Sequence, residues 1–154
     1  MDKTELDNIK LIGISLKHKT TNENEQAMID CGTLWQQFET GKYFDQIPGK
    51  LSDEVLAVYH QYEGDYTKPY SYFIGCKVQP STALPDDLDT ITLQKGTYQK
   101  IEAKGTMPDC VANAWREIWK SDIPRAYTTD FEVYDARSRD WSNAEVDIFL
   151  SVKD

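Results

Sequence analysis

Two helical patterns in this chain carry the same apolar spacing. Cys31, Trp35 and Phe38 in the first, and Val111, Trp115 and Ile118 in the second, recur at steps of four and three, so each trio lies on one helix face. What surrounds them recurs as well. Lys10 to Leu16 alternates apolar with polar or small residues, the period-two pattern of a half-buried strand. The first helix, EQAMIDCGTLWQQFET from Glu25, closes near Gly41, with Asn22 and Asn24 as candidate caps. Val55 to Tyr62 and Tyr70 to Val78 follow. Both are rich in β-branched and aromatic residues and are joined by EGDYTKP, which predicts a hairpin.

Past a Pro- and Asp-rich crossing from Pro80 to Asp87 the order returns. Thr90 to Leu93 and Tyr98 to Ala103 are strand-like around Gly96; Met107 and Pro108 open a helix that ends before Pro124. Phe131 to Tyr134 and Glu145 to Val152 form the closing pair. Both halves read β-α-β-β, over about residues 9–79 and 88–154. The pattern predicts an α+β fold in which two units each leave a sheet face uncovered and bury it jointly.

With 154 residues the chain suits one compact domain, or two small halves sharing one core. Its 26 acidic against 17 basic side chains give a net charge of −9, which repels phosphate backbones, so direct nucleic-acid binding is not expected. The same field favours cationic small molecules. MDKTELDNIK lacks a basic stretch followed by an apolar run, and no segment approaches the roughly 18 apolar residues of a membrane span, so the expectation is a soluble, cytoplasmic protein. Cys31, Cys76 and Cys110 are far apart, without C-x-x-C, and read as buried thiols. His18 and His60 are isolated, so no metal site is expected, and nothing requires an organic cofactor.

Chemistry has two sources here. On the last strand, NAEVDIFLSV sets Val146, Ile148 and Leu150 on one face and Glu145, Asp147 and Phe149 on the other. If the second face is solvated, its carboxylates are ordinary polar positions. If it lines a cavity, burial and mutual repulsion raise at least one pKa, and the group becomes a counter-charge or a general acid/base. The strand pattern does not choose. The aromatic residues are the second source. Trp35, Tyr59, Tyr72, Phe73, Trp115, Trp119 and Tyr134 sit on elements that meet at the centre of a two-half fold, either as core or as walls against a cation. G-x-G-x-x-G, Walker, H-E-x-x-H and G-x-S-x-G motifs are absent, so an enzyme would lean on carboxylates and tyrosines. DARSRD, at Asp135 to Asp140, reads as a solvated hairpin with local ion pairs, or as a rim that selects ligands.

LWQQF at Leu34 to Phe38, VLAVYHQYEGDYTKPYSYFIGCKV at Val55 to Val78, YTTDFEVYDAR at Tyr127 to Arg137 and AEVDIFLSV at Ala144 to Val152 together resemble the GyrI-like small-molecule-binding domains. These include effector-binding domains of AraC-type and MerR-type bacterial regulators. The resemblance implies a duplicated β-α-β-β fold with an antiparallel sheet, whose halves enclose a central aromatic pocket. It also implies an acid on the last strand facing lipophilic cations. Asp147 matches that position, with Glu145 one pleat earlier; Trp35 matches the helix tryptophan, Tyr72 the hairpin aromatic and Tyr134 the tyrosine of an F-E-x-Y segment. A first strand near residue 9 leaves no room for a preceding helix-turn-helix, which suits a stand-alone module. Three functions fit: a binder of lipophilic cationic ligands through Asp147, Glu145, Trp35, Tyr72, Tyr134, Tyr59, Trp115 and Trp119; a hydrolase of electrophilic small molecules using Asp147 or Glu145; or an inhibitor or protector of a macromolecular partner.

Overall fold

The computed structural model describes residues 2–153. Eight strands form one sheet in the order β1-β6-β8-β7-β3-β4-β2-β5, and every neighbouring pair is antiparallel. In chain order these are β1 (Asp2–Leu6), β2 (Ile9–Ser15), β3 (Val55–His60), β4 (Ser71–Lys77), β5 (Asp89–Leu93), β6 (Gly96–Gly105), β7 (Arg125–Tyr134) and β8 (Ala144–Val152). Helix α1 spans Gln26–Thr40, a single turn α2 spans Tyr43–Gln46, and α3 spans Asp109–Lys120. The fold is α+β. Read outward from the central β3–β7 pair, β3-β4-β2 on one side answers β7-β8-β6 on the other, and α1 and α3 occupy corresponding places in the two series.

The sheet is rolled. Strands β1 and β2 lie toward opposite ends of it, yet only Asp7 and Asn8 join them; Gln94 and Lys95 likewise join β5 to β6. Links that short reach about 10 Å, so the two ends must approach one another. All eight strands contribute to the core this creates on the face away from the helices, through residues such as Leu11, Leu56, Phe73, Leu93, Tyr98 and Phe131, with Leu6 and Phe149 packed beside them. Phe131 stacks on Phe149 at 4.8 Å and meets Tyr98 edge-on at 5.6 Å.

The other face carries the helices. Leu34 and Phe38 of α1 pack on Ile12, Ala57, Tyr72 and Ile74, while Val111, Trp115 and Ile118 of α3 pack on Ala103, Val146, Ile148 and Leu150. Gly13 and Gly75 face one another across β2 and β4, and a Cβ on either would lie 2.0 to 2.3 Å from the partner strand's carbonyl oxygen. That close approach explains glycine at both positions.

Some elements differ from expectation. Strand β1, DKTEL, is too polar to be read as a strand; its pairing of residues 2–6 with residues 96–100 of β6 creates it. Strand β7 starts at Arg125, earlier than the apolar run suggested, because a register break between Arg125 and Asp130 absorbs the polar RAYTTD. Asn22 and Asn24 cap nothing. Asn22 instead donates to the Tyr66 carbonyl at 2.8 Å and accepts from the Tyr70 hydroxyl at 2.7 Å, while Asn24 and Glu25 take left-handed backbone geometry ahead of α1. No described helix is long and apolar enough to cross a membrane.

Candidate ligand-binding cavity

Strands β3, β4 and β7 are buried on both faces, and on the helix side they project unusually polar residues. In β7, Phe131 and Val133 face the rolled core, so period two turns Asp130, Glu132 and Tyr134 toward the helices. Tyr59 of β3 and Tyr72 of β4 share that side. Above them α1 and α3 lie apart. The space between is a cavity of about 380 Å³, floored by Tyr59, Tyr72, Glu132 and Tyr134 and walled by Cys31 and Trp35 from α1 and Val111, Trp115 and Trp119 from α3. The β3–β4 connection closes one end with Tyr62, Tyr66 and Tyr70; Tyr66 stacks on Trp119 at 5.6 Å with the rings 5° from parallel.

Glu132 is the buried carboxylate of this cavity. It is 1% exposed, and its carboxylate accepts three hydrogen bonds: from the Tyr59 hydroxyl (2.7 Å) and Trp115 Nε1 (2.6 Å) at Oε2, and from the Tyr134 hydroxyl (2.6 Å) at Oε1. All three donors are neutral. Burial drives the Glu132 pKa above the ordinary carboxylate range, and the three donors offset part of that rise. The tyrosines move the same way. Burial, reinforced by the Glu132 charge, holds Tyr59, Tyr72 and Tyr134 well above their usual value, and the Cys31 thiol is pushed up similarly, so none of the four competes as an anion.

The aromatic residues interlock around this carboxylate. Trp35 donates its indole N–H to the Tyr72 hydroxyl at 2.8 Å and meets the Tyr134 ring edge-on at 4.8 Å. Tyr59 lies 5.0 Å from Tyr72 and 4.9 Å from Trp115. Rings pinned by hydrogen bonds at their polar ends hold their faces fixed toward the cavity.

Of the residues singled out from sequence, Trp35, Tyr59, Tyr72, Trp115, Trp119 and Tyr134 converge on the cavity, whereas Phe73 belongs to the core beneath the sheet. Asp147 and Glu145 do not reach the cavity. Because Val146, Ile148 and Leu150 pack under α3, strand geometry sends residues 145, 147 and 149 to the opposite face. There Asp147 accepts from Arg137 at 2.8 Å, and Glu145 lies 3.8 Å from Lys104 with its side chain 42% exposed. The DARSRD segment is therefore an ion-pair cluster, in which Arg137 bridges Asp135 and Asp147. The acid that sequence reasoning passed over, Glu132, stands two residues before Tyr134 in FEVY, where period two already puts both on one face.

Arg125, Tyr62 and Tyr70 are further cavity residues that sequence did not single out. Arg125 Nη2 pairs with Asp130 at 2.7 Å, and the Tyr62 hydroxyl donates to the same carboxylate oxygen at 2.6 Å. Among the described residues no group of three or more His, Cys, Asp or Glu is arranged to hold a metal ion.

Comparison with known proteins agrees with this architecture. The protein YobU of Bacillus subtilis (strain 168) is 26% identical over 155 residues, covering 97% of this chain and 96% of YobU. The crystal structure of the integron cassette protein VCH_CASS2, from the mobile metagenome of Vibrio cholerae, superposes with a TM-score of 0.73 at 28% identity, covering 99% of this chain and 95% of that one. The structure of SAV2435 bound to tetraphenylphosphonium shares the fold, with a TM-score of 0.79 at 21% identity and coverage of 99% and 93%. Residues 4–152 match the family model described as Cass2, integron-associated effector binding protein, and the chain belongs to that family.

Proposed function

We propose that this protein binds lipophilic organic cations between α1 and α3, with Glu132 as the counter-charge and Trp35, Tyr59, Tyr72, Trp115, Trp119 and Tyr134 as the contacting rings. One observation carries the reading: a fully buried carboxylate, in an aromatic cavity, whose hydrogen-bond partners are all neutral. A buried anion without a cationic partner is unfavourable until a cation arrives, and aromatic faces add about 0.5–2 kcal/mol per good cation contact. The cavity of about 380 Å³ suits a compact organic molecule. Membership of an effector-binding family supports small-molecule binding, and the tetraphenylphosphonium held by SAV2435, a protein of the same fold, is a ligand of the proposed kind.

Two ions of nearly identical size and shape test the charge requirement. Tetraphenylphosphonium should raise the melting temperature and quench Trp fluorescence, while tetraphenylborate should do neither. Equal responses to both would reduce the site to a greasy cavity without charge selection, and the reading would fall.

A further inference from the structure

We propose that the cavity holds a second polar subsite, at Arg125, which takes an acceptor oxygen of the ligand, so that the preferred class is a lipophilic cation that also bears a carbonyl or carboxylate oxygen. The inference rests on the reading of Glu132 as counter-charge. Arg125 lines the cavity with its side chain only 4% exposed. Its guanidinium has five N–H donors. Nη2 serves Asp130, whereas Nε and Nη1 are buried and have no hydrogen-bond partner.

Nothing beside Arg125 fulfils that need. Asp130 Oδ2 is shared by Arg125 and the Tyr62 hydroxyl, and Oδ1 accepts from Ser151 N at 2.9 Å and Ser151 Oγ at 3.3 Å. Two rings also flank the guanidinium. Tyr127 lies 4.3 Å and Trp115 5.7 Å from the guanidinium carbon, and π faces attract the cation without supplying an in-plane acceptor. Buried donors left in this state are rare and costly in folded proteins, and the acceptor they call for reaches them from the cavity once the Tyr127 ring over the guanidinium gives way.

Position and charge both suit a bifunctional ligand. Trp115 gives its indole N–H to Glu132 and lies beside Arg125, so a molecule resting on Trp115 has the carboxylate and the guanidinium within reach of one ring system. The Asp130 partner cancels the Arg125 charge, so the subsite does not expel a cation. Tyr127, which covers the guanidinium, sits at a φ of 54° within the β7 register break. Glycine accepts that backbone freely and removes the ring.

Calorimetric titration with three matched probes tests the subsite: pentyltriphenylphosphonium, carboxybutyltriphenylphosphonium and the methyl ester of the latter. The two oxygen-bearing probes should bind about tenfold tighter than the pentyl compound, as one charge-assisted hydrogen bond implies. In Arg125→Lys, which keeps a cation beside Asp130, that preference should disappear. The double variant Arg125→Met with Asp130→Asn, which leaves no buried charge unpaired, should give the same loss. In Tyr127→Gly the preference should grow. A preference near one in both the wild type and Tyr127→Gly overturns the inference, as does a preference that survives both Arg125 variants. Pentyl binding without any preference sinks this subsite alone; failure of every phosphonium to bind sinks the cation reading and the subsite with it.

Discussion

Replacing Glu132 by Gln removes one charge and almost no volume, and its consequences can be worked from the cavity. A cation about 4 Å from the carboxylate gains about 4 kcal/mol at an effective dielectric of about 20. Part of this is offset, because the ligand loses water and the carboxylate is already held by Tyr59, Trp115 and Tyr134. A net loss of about 1.5–3 kcal/mol follows, so tetraphenylphosphonium should bind Glu132→Gln about 10- to 100-fold more weakly by calorimetry. Ligand-free stability should move the other way. Burial raises the folded-state pKa of Glu132 above its unfolded value, so its contribution is most favourable below the unfolded pKa and is lost as pH rises through the folded one. Denaturation curves should thus decline across that window in the wild type and be flatter in the variant. The affinity for a permanent cation should climb over the same window as Glu132 ionises, then level off, while the variant shows no such climb. A folded Glu132→Gln protein that binds the cation within threefold of wild type would refute the reasoning.

Other substitutions probe separate parts of the structure. Trp115→Phe keeps a ring but deletes one of three donors to Glu132; it should lower stability by about 1–2 kcal/mol in denaturant and shift the midpoint of the pH–affinity curve upward. An unchanged midpoint would count against the hydrogen bond as a determinant of the Glu132 pKa. Asp147→Asn and Glu145→Gln lie on the far face and should leave cation affinity within about twofold, with a stability change of about 1 kcal/mol or less at the partly exposed ion pairs; a tenfold affinity loss in either would return the last strand to the site. Gly75→Ala places a methyl 2.3 Å from the Ile12 carbonyl oxygen, so it should cost about 3–5 kcal/mol or abolish soluble expression. A wild-type melting temperature there would contradict the close approach of β2 and β4.

What was legible in the sequence was local. Cys31, Trp35 and Phe38, and Val111, Trp115 and Ile118, announced their helices because a helix repeats every few residues whatever it packs against. The order of strands followed from Gly, Pro and Asp between apolar runs. Face assignment is a tertiary property and was not legible. In most antiparallel sheets polarity tells inside from outside, but here β7 and β8 carry apolar residues on both faces: Phe131 and Phe149 pack in the rolled core while Glu132 and Ile148 lie under the helices. Asp147 and Glu132 occupy comparable settings in the sequence, each flanked by apolar residues, and only the position of α3 over Val146, Ile148 and Leu150 shows which carboxylate meets the cavity. Strand β1 was illegible for a related reason, since its three charges among five residues become a strand only through the β6 edge it covers.

The two-part architecture sets matching tryptophans over the sheet but gives them acceptors on different strands. Trp35 and Trp115 hold corresponding positions on α1 and α3, and each sends its indole N–H down to an acceptor on the sheet. On the first side the acceptor is the Tyr72 hydroxyl, which is neutral; on the second it is the Glu132 carboxylate. Across the central strand pair Glu132 stands opposite Ala57, whose lone methyl leaves room for Tyr59 and Tyr134 to lean in and reach the carboxylate from either side. A second buried acid would set two negative charges against one another and destabilise the sheet, while a tyrosine in place of Glu132 would leave an aromatic cavity with no preference for charge. One buried acid among neutral donors gives the cavity floor its negative pole on the α3 side, the other lining carboxylate, Glu25, being solvent-exposed at the mouth. The same asymmetry sets the orientation expected of a ligand, with its positive centre toward Trp115 and Glu132 and its uncharged rings toward Trp35 and Tyr72.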